Sequence, residues 1–230
     1  LADLESVERA FDKAVRQAKT NEKDAVAWRD LLQRVQSALE AGTPARAMEF
    51  ELHERALLED IHLITAKPVM YIANLAEGGL EDNPYRESVT AYAENEGAPM
   101  VAICAALEAE LAQLEPAEQE EFLRELGFTE PGLNRVIAAA YELLGLQTFY
   151  TALPQETRAW TVPRGASAYE AAGEIHTDFQ RGFIRAEVIP SDRFIALGGE
   201  HGAKEAGEMR LEGKDYVLAD GDVIHFRSNV

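Results

Sequence analysis

Two short apolar runs constrain this chain more than any other feature. Pro68-Val69-Met70-Tyr71-Ile72-Ala73 and Pro99-Met100-Val101-Ala102-Ile103-Cys104 lack helical spacing, and each is too short for a buried helix. Continuous apolar segments of this length read as strands buried on both faces, the habit of parallel sheets. Parallel strands need a crossover between them, and residues 84–96 read as that helix. Helical segments at about 107–113, 116–126 and 131–144 follow. Residues 65–145 are therefore expected to be α/β. Two strands are too few for a sheet covered on both faces, so further strands are expected before Leu1. The chain opens on Leu rather than Met, in keeping with a piece of a longer protein.

The flanks have other textures. In residues 1–40, Leu4, Val7, Phe11, Ala14 and Ala18, then Ala25, Trp28, Leu32, Val35 and Leu39, recur at steps of three and four. Two amphipathic helices around the polar stretch 20–24 imply an antiparallel helical hairpin. A further helix is expected over 49–60. The segment 1–64 then stands as a helical insertion in the α/β domain. From residue 146 the pattern becomes strand-like at 148–151, 157–162 and 182–189, with a short helix at 168–175. Lys214–Asn229 reads as a hairpin turned by Asp220-Gly221. Residues 146–230 are thus expected to be a small α+β domain.

Charge narrows the choice of partners. The net charge is -19, and residues 65–145 alone carry 15 acids against 4 bases. Simple electrostatic attachment to nucleic acid or anionic lipid is disfavoured, and no DNA partner is expected. No run of about 18 apolar residues offers a membrane span. One cysteine, Cys104, rules out an internal disulfide and fits a reducing, cytoplasmic setting.

Ligands of open α/β sheets gather beyond the carboxyl ends of the strands. Asn74-Leu75-Ala76-Glu77 and Cys104-Ala105-Ala106 occupy those ends here. Singly, each is weak, because Asn after a strand also serves turns and caps. As a pair on adjacent strands they point to a ligand. The order strand, Asn-x-x-Glu, helix, strand, small-residue loop resembles the base-recognition motifs of P-loop GTPases. Where those carry Asn-Lys-x-Asp, this chain has Leu75 and Glu77 at the Lys and Asp positions. That departure is similar to the YchF family of Obg-like ATPases, which prefer ATP. An Asn amide complements the N6 donor and N7 acceptor of adenine. A Glu misses the geometry guanine needs, and Leu75 packs on the purine face.

The C-terminal segments 171–179, 181–189, 199–207, 210–216 and 220–230 resemble the TGS domain of the same family, a ubiquitin-like β-grasp module. The resemblance covers essentially the whole chain and implies an ATP-hydrolysing, ribosome-associated regulator. No Gly-x-x-x-x-Gly-Lys-[Ser/Thr] occurs. The phosphate cradle and the Mg²⁺ ligands are therefore expected upstream of Leu1, and this chain alone is expected to be catalytically inactive. Ribosomal RNA is the expected partner of the hairpin and the TGS domain. Arg158, Arg181 and Arg185, near Trp160 and Phe183, are the candidate contacts, although solvated arginines over a core have the same pattern. A non-enzymatic ribosome-binding module is the alternative class. His176 and Asp178 suit a turn better than acid–base work. Cys104 suits a core better than a nucleophile.

Overall fold

The computed structural model describes residues 1–20, 22–77, 83–153 and 156–229. Its contacts divide the chain into two compact units, Leu1–Leu133 and Asn134–Val230.

The first unit opens with α1 (Ala2–Gln17) and α2 (Lys23–Glu40), which pack against each other. Their shared core is Val7, Ala14, Leu31, Leu32 and Val35, extended by Ala45, Leu58 and Leu63 from the following segment. This is the stripe implied by the three-and-four spacing. The third helix, α3 (Leu52–Glu59), is shorter than expected. Glu51 and Glu54 form a reciprocal capping box that sets its start. The chain after α3 is fastened back to α1 by Asp3, whose carboxylate accepts the backbone N–H groups of Ile64 (2.9 Å) and Thr65 (2.6 Å).

The unit then forms β1 (Tyr71–Asn74), α4 (Pro84–Glu96) and β2 (Met100–Ile103). The strands are parallel, with Tyr71 opposite Met100 and Asn74 opposite Ile103. Strong local signals fix α4. Asn83 caps its first N–H groups, Pro84 supplies a preset φ, and Gly97 ends it at φ 64°. Ala73, Val101 and Ala102 are buried, but Ile72 is 48% exposed. The sequence implied burial on both faces, and the described part of this two-stranded sheet leaves that side of Ile72 open. Glu96 accepts from the Tyr71 hydroxyl (2.7 Å), the Tyr92 hydroxyl (2.9 Å) and Arg46 (2.9 Å). It thereby ties the helical segment to the amino end of β1. Helices α5 (Ala105–Leu111) and α6 (Pro116–Glu125) follow, and α7 (Gly132–Leu143) starts at the end of this unit and runs into the second. The Glu108 carboxylate accepts from Gly132 and Leu133 N–H, holding the start of α7.

The second unit is built on β3 (Leu146–Leu153), β4 (Glu156–Pro163), β5 (Phe183–Pro190), β6 (Arg210–Glu212) and β7 (Asp222–Ser228), arranged 4-3-7-5-6. β3 and β7 are parallel and the other pairs antiparallel, so the sheet is mixed. Its core joins Phe149, Val162, Ala186, Val188, Ile224 and Phe226 to Ala168, Ala171 and Ala172 of α8 (Ala168–Ile175). Short helices α9 (Thr177–Arg181), α10 (Ser191–Ala196) and α11 (Glu200–Glu205) fill the connections. The fold is thus a mixed α/β arrangement with one parallel and one mixed sheet.

The hairpin expected over Lys214–Asn229 does not form. Only β7 is a strand there, and it lies between β3 and β5. Asp220 and Gly221 make a turn, but they serve a distant strand: the Asp220 carboxylate accepts Thr148 N–H, and Gly221 N–H bonds Thr148 C=O (both 2.8 Å). Among the described residues no helix is long and apolar enough to cross a membrane.

Candidate purine-binding site

The two motifs singled out in the sequence meet at the carboxyl ends of β1 and β2. Asn74 is the last residue of β1 and stands opposite Ile103. Leu75 N–H continues the pairing by donating to Ile103 C=O (2.8 Å). Cys104, buried and extended, is the N-cap of α5 and turns the chain from strand to helix. The next residue, Ala105, donates its backbone N–H to Asn74 Oδ1 at 3.1 Å. One hydrogen bond therefore couples the Asn-x-x-Glu segment to the small-residue loop.

That bond fixes the amide plane of Asn74 and engages one lone pair of its carbonyl. Nδ2 is left as a donor with no partner among the described residues. Oδ1 keeps its second lone pair, so the amide still offers one acceptor and one donor, the pair expected to meet adenine N6 and N7. The donor suits purine N7, an acceptor that adenine and guanine share. Leu75 is half-buried and Glu77 is exposed. Ala105 and Ala106 are exposed at the start of α5, and their small side chains leave room for a flat ring. Residues 78–82, directly after Glu77, lie outside the described part.

The three arginines proposed for RNA do not share one surface. Arg158 lies on the same face of β4 as Trp160 and Val162, which belong to or pack on the core. It lies over Trp160, 5.8 Å from the ring, and pairs with Glu156 at 2.7 Å. Arg185 sits on β5, with β3 and β7 between it and β4. A β-bulge between Phe183 and Arg185 keeps Phe183 in the core while Arg185 turns to the other face with Glu187, 3.6 Å away. Arg181 is exposed in the last turn of α9, close in sequence to Arg185. His176 and Asp178 form a local cap, with Asp178 N–H donating to His176 Nδ1 at 3.2 Å.

Periodicity gave no sign of the Asn74–Ala105 bond, because it joins two segments that only strand pairing brings together.

Residues 146–229 match the family model of the YchF-GTPase C-terminal domain, described as a protein of unknown function (DUF933). Over its full length the chain is 51% identical to the ribosome-binding ATPase YchF of Pasteurella multocida and 48% identical to that of Bacillus subtilis. The chain belongs to the YchF family. It spans 63% and 64% of the length of those two relatives. The solved YchF GTPase of Schizosaccharomyces pombe superposes with a TM-score of 0.84 at 26% identity, covering 98% of this chain and 62% of that one. A GTP-binding protein of Pyrococcus horikoshii, at 19% identity and a TM-score of 0.56, shares the fold over 98% of this chain and 67% of its own.

Proposed function

We propose that the carboxyl ends of β1 and β2 are the base-recognition half of a purine-nucleotide site in a longer, ATP-hydrolysing, ribosome-associated cytoplasmic protein. The observation that carries this reading is the Asn74–Ala105 bond, which orients an amide donor, without a partner among the described residues, beside two small residues. The YchF relatives bear names that include ATPase in the bacterial proteins and GTPase in the fission-yeast one. A donor aimed at N7 accepts either purine, so the ATP preference of this chain is assigned to Leu75 and Glu77. The triphosphate of ATP and its Mg²⁺ would be held by a segment upstream of Leu1. The residues present here fit the base alone, and they supply no step of phosphoryl transfer.

Residues 1–64 are read as the family's helical insertion, 65–145 as the distal part of the nucleotide-binding domain, and 146–230 as a TGS β-grasp module. The five-stranded mixed sheet packed on α8 supports the last assignment. The helical segment and the arginine pair Arg181 and Arg185 are the proposed ribosomal RNA contacts.

Calorimetry on the full-length protein tests the base assignment. Leu75→Lys with Glu77→Asp restores a guanine-reading pair and moves preference towards GTP. Each buried hydrogen bond gained or lost is worth roughly 1–3 kcal/mol, or about 5- to 150-fold. Asn74→Ala weakens ATP and GTP alike. Equal affinities for the two nucleotides in the wild type, or loss of only one of them in Asn74→Ala, contradicts the reading. The 230-residue chain by itself releases no phosphate from ATP above background.

A further inference from the structure

A second polar cluster lies far from the purine site, wholly within the C-terminal unit. Glu187 on β5 and His225 on β7 stand directly opposite each other in the antiparallel ladder. Glu200, the first residue of α11, reaches the same point. One ligand atom from each of the three lies within 4.8 Å of the other two. His225 Nδ1 is 3.7 Å from Glu200 Oε2 and 4.0 Å from Glu187 Oε2.

These spacings are too long for hydrogen bonds. They suit donors that share one ion. Two ligands at about 2.1 Å from a tetrahedral cation are about 3.4 Å apart, and wider ligand angles separate them further. His225 Nδ1 is completely buried and has no hydrogen-bond partner among the described residues. An orphaned buried polar atom normally signals a missing partner. The space beside it has a volume of about 10 Å³ and is lined by the three polar groups and by apolar side chains such as Ile189, Phe194 and Ile224. That is room for one water-sized particle, not for a small organic molecule. A water donates only two hydrogen bonds, whereas three acceptors converge here when Nδ1 carries its lone pair.

We infer that Glu187, Glu200 and His225 form a divalent transition-metal site of the Zn²⁺ type, clamping α11 to the sheet. One imidazole nitrogen and two carboxylate oxygens suit Zn²⁺, with an open position for water. Glu187 is held ready by Arg227, which donates to its Oε2 at 2.9 Å, and Arg185 is 3.6 Å from its Oε1. Hydrogen bonds of this kind orient a metal-binding carboxylate. The two guanidinium charges also oppose a cation, so binding is of moderate strength. Glu200 and the exposed edge of His225 provide the entrance.

The test is calorimetric titration of the chelator-stripped 230-residue chain with Zn²⁺, beside melting curves and X-ray absorption of the loaded protein. One equivalent binds saturably, the C-terminal unit melts at a higher temperature, and the absorption spectrum shows nitrogen and oxygen ligands without sulfur. Glu200→Gln, at a partly exposed position that tolerates the change, lowers affinity by ten-fold or more. His201→Ala, at a neighbouring exposed imidazole, leaves it unchanged. Mg²⁺ gives no response. The inference is overturned by absent saturable binding, by undiminished affinity in Glu200→Gln, by loss of binding in His201→Ala, or by an equal response to Mg²⁺. The spectrum of the wild type decides the matter independently of any variant, since a short thiolate–metal distance of about 2.3 Å would place the ion at Cys104 instead.

Discussion

Replacing Gly202 by Ala sets two physical effects against each other, with opposite signs. Gly202 lies inside α11, where Ala is normally favoured over Gly by about 0.8–1 kcal/mol. Propensity alone therefore calls for a more stable protein. The packing calls for the reverse. A Cβ built on Gly202 overlaps the carbonyl oxygen of Leu197 and comes within 3.0 Å of its carbonyl carbon. The obstacle is backbone, and Leu197 N–H is itself bonded to Arg193 C=O at the end of α10. Overpacking of this kind costs about 1–3 kcal/mol when side chains can yield, and the upper end applies where the chain must move. The net expectation is a loss of about 2 kcal/mol after the propensity gain. For a domain of about 60–100 residues, 1 kcal/mol shifts Tm by about 4–8 °C, so the transition of the C-terminal unit falls by about 8–16 °C. Differential scanning calorimetry reads it directly. Gly213→Ala is the control, because nothing lies within 4 Å of a Cβ there. A Gly202→Ala protein that melts at or above the wild-type temperature would refute the close approach of α11 to Leu197.

Asp3 links stability to acid. Burial alone raises its pKa, but its hydrogen bonds with Thr65 and Ile64 outweigh that and hold it below the usual carboxylate range. Its contribution is therefore present above the unfolded value and is lost as pH falls through the lowered folded one. Asp3→Asn, which turns one acceptor into a donor facing an N–H, costs about 2 kcal/mol at neutral pH and flattens the acid limb in urea titrations; an unchanged acid limb counts against the contact. Replacing Arg181 and Arg185 by Ala weakens ribosome co-sedimentation and reduces the log–log salt slope by about one to two, since each phosphate contact releases about one counterion. Circular dichroism must show that variant folded, because Arg185 also lies near Glu187. Co-sedimentation equal to wild type across the salt series removes these arginines from the RNA surface.

How much was legible in the sequence depended on how local the determinants were. Helices 84–96 and 168–175 coincide with α4 and α8 because their signals are nearby: the Asn83 cap, Pro84 and Gly97 in one, the Ser167–Glu170 capping box in the other. The stripe of Val7, Ala14, Leu32 and Val35 announced the α1–α2 core for the same reason. Asn74 and the Cys104–Ala106 loop were visible as strand-end residues.

What joined them was not visible. The Asn74–Ala105 bond depends on the parallel register of β1 and β2, and no local pattern encodes that register. The same limit explains the hairpin that failed to form. Asp220-Gly221 has hairpin chemistry, but pairing with β3 and β5 on either side of β7 buries more backbone than a local return could. β6 has three residues and α10 and α11 six each, too short for any period to emerge. Glu187, Glu200 and His225 are far apart in the sequence and form no spaced motif. Tertiary structure alone set them around one point, because opposition across an antiparallel ladder is a property of two strands and not of either sequence.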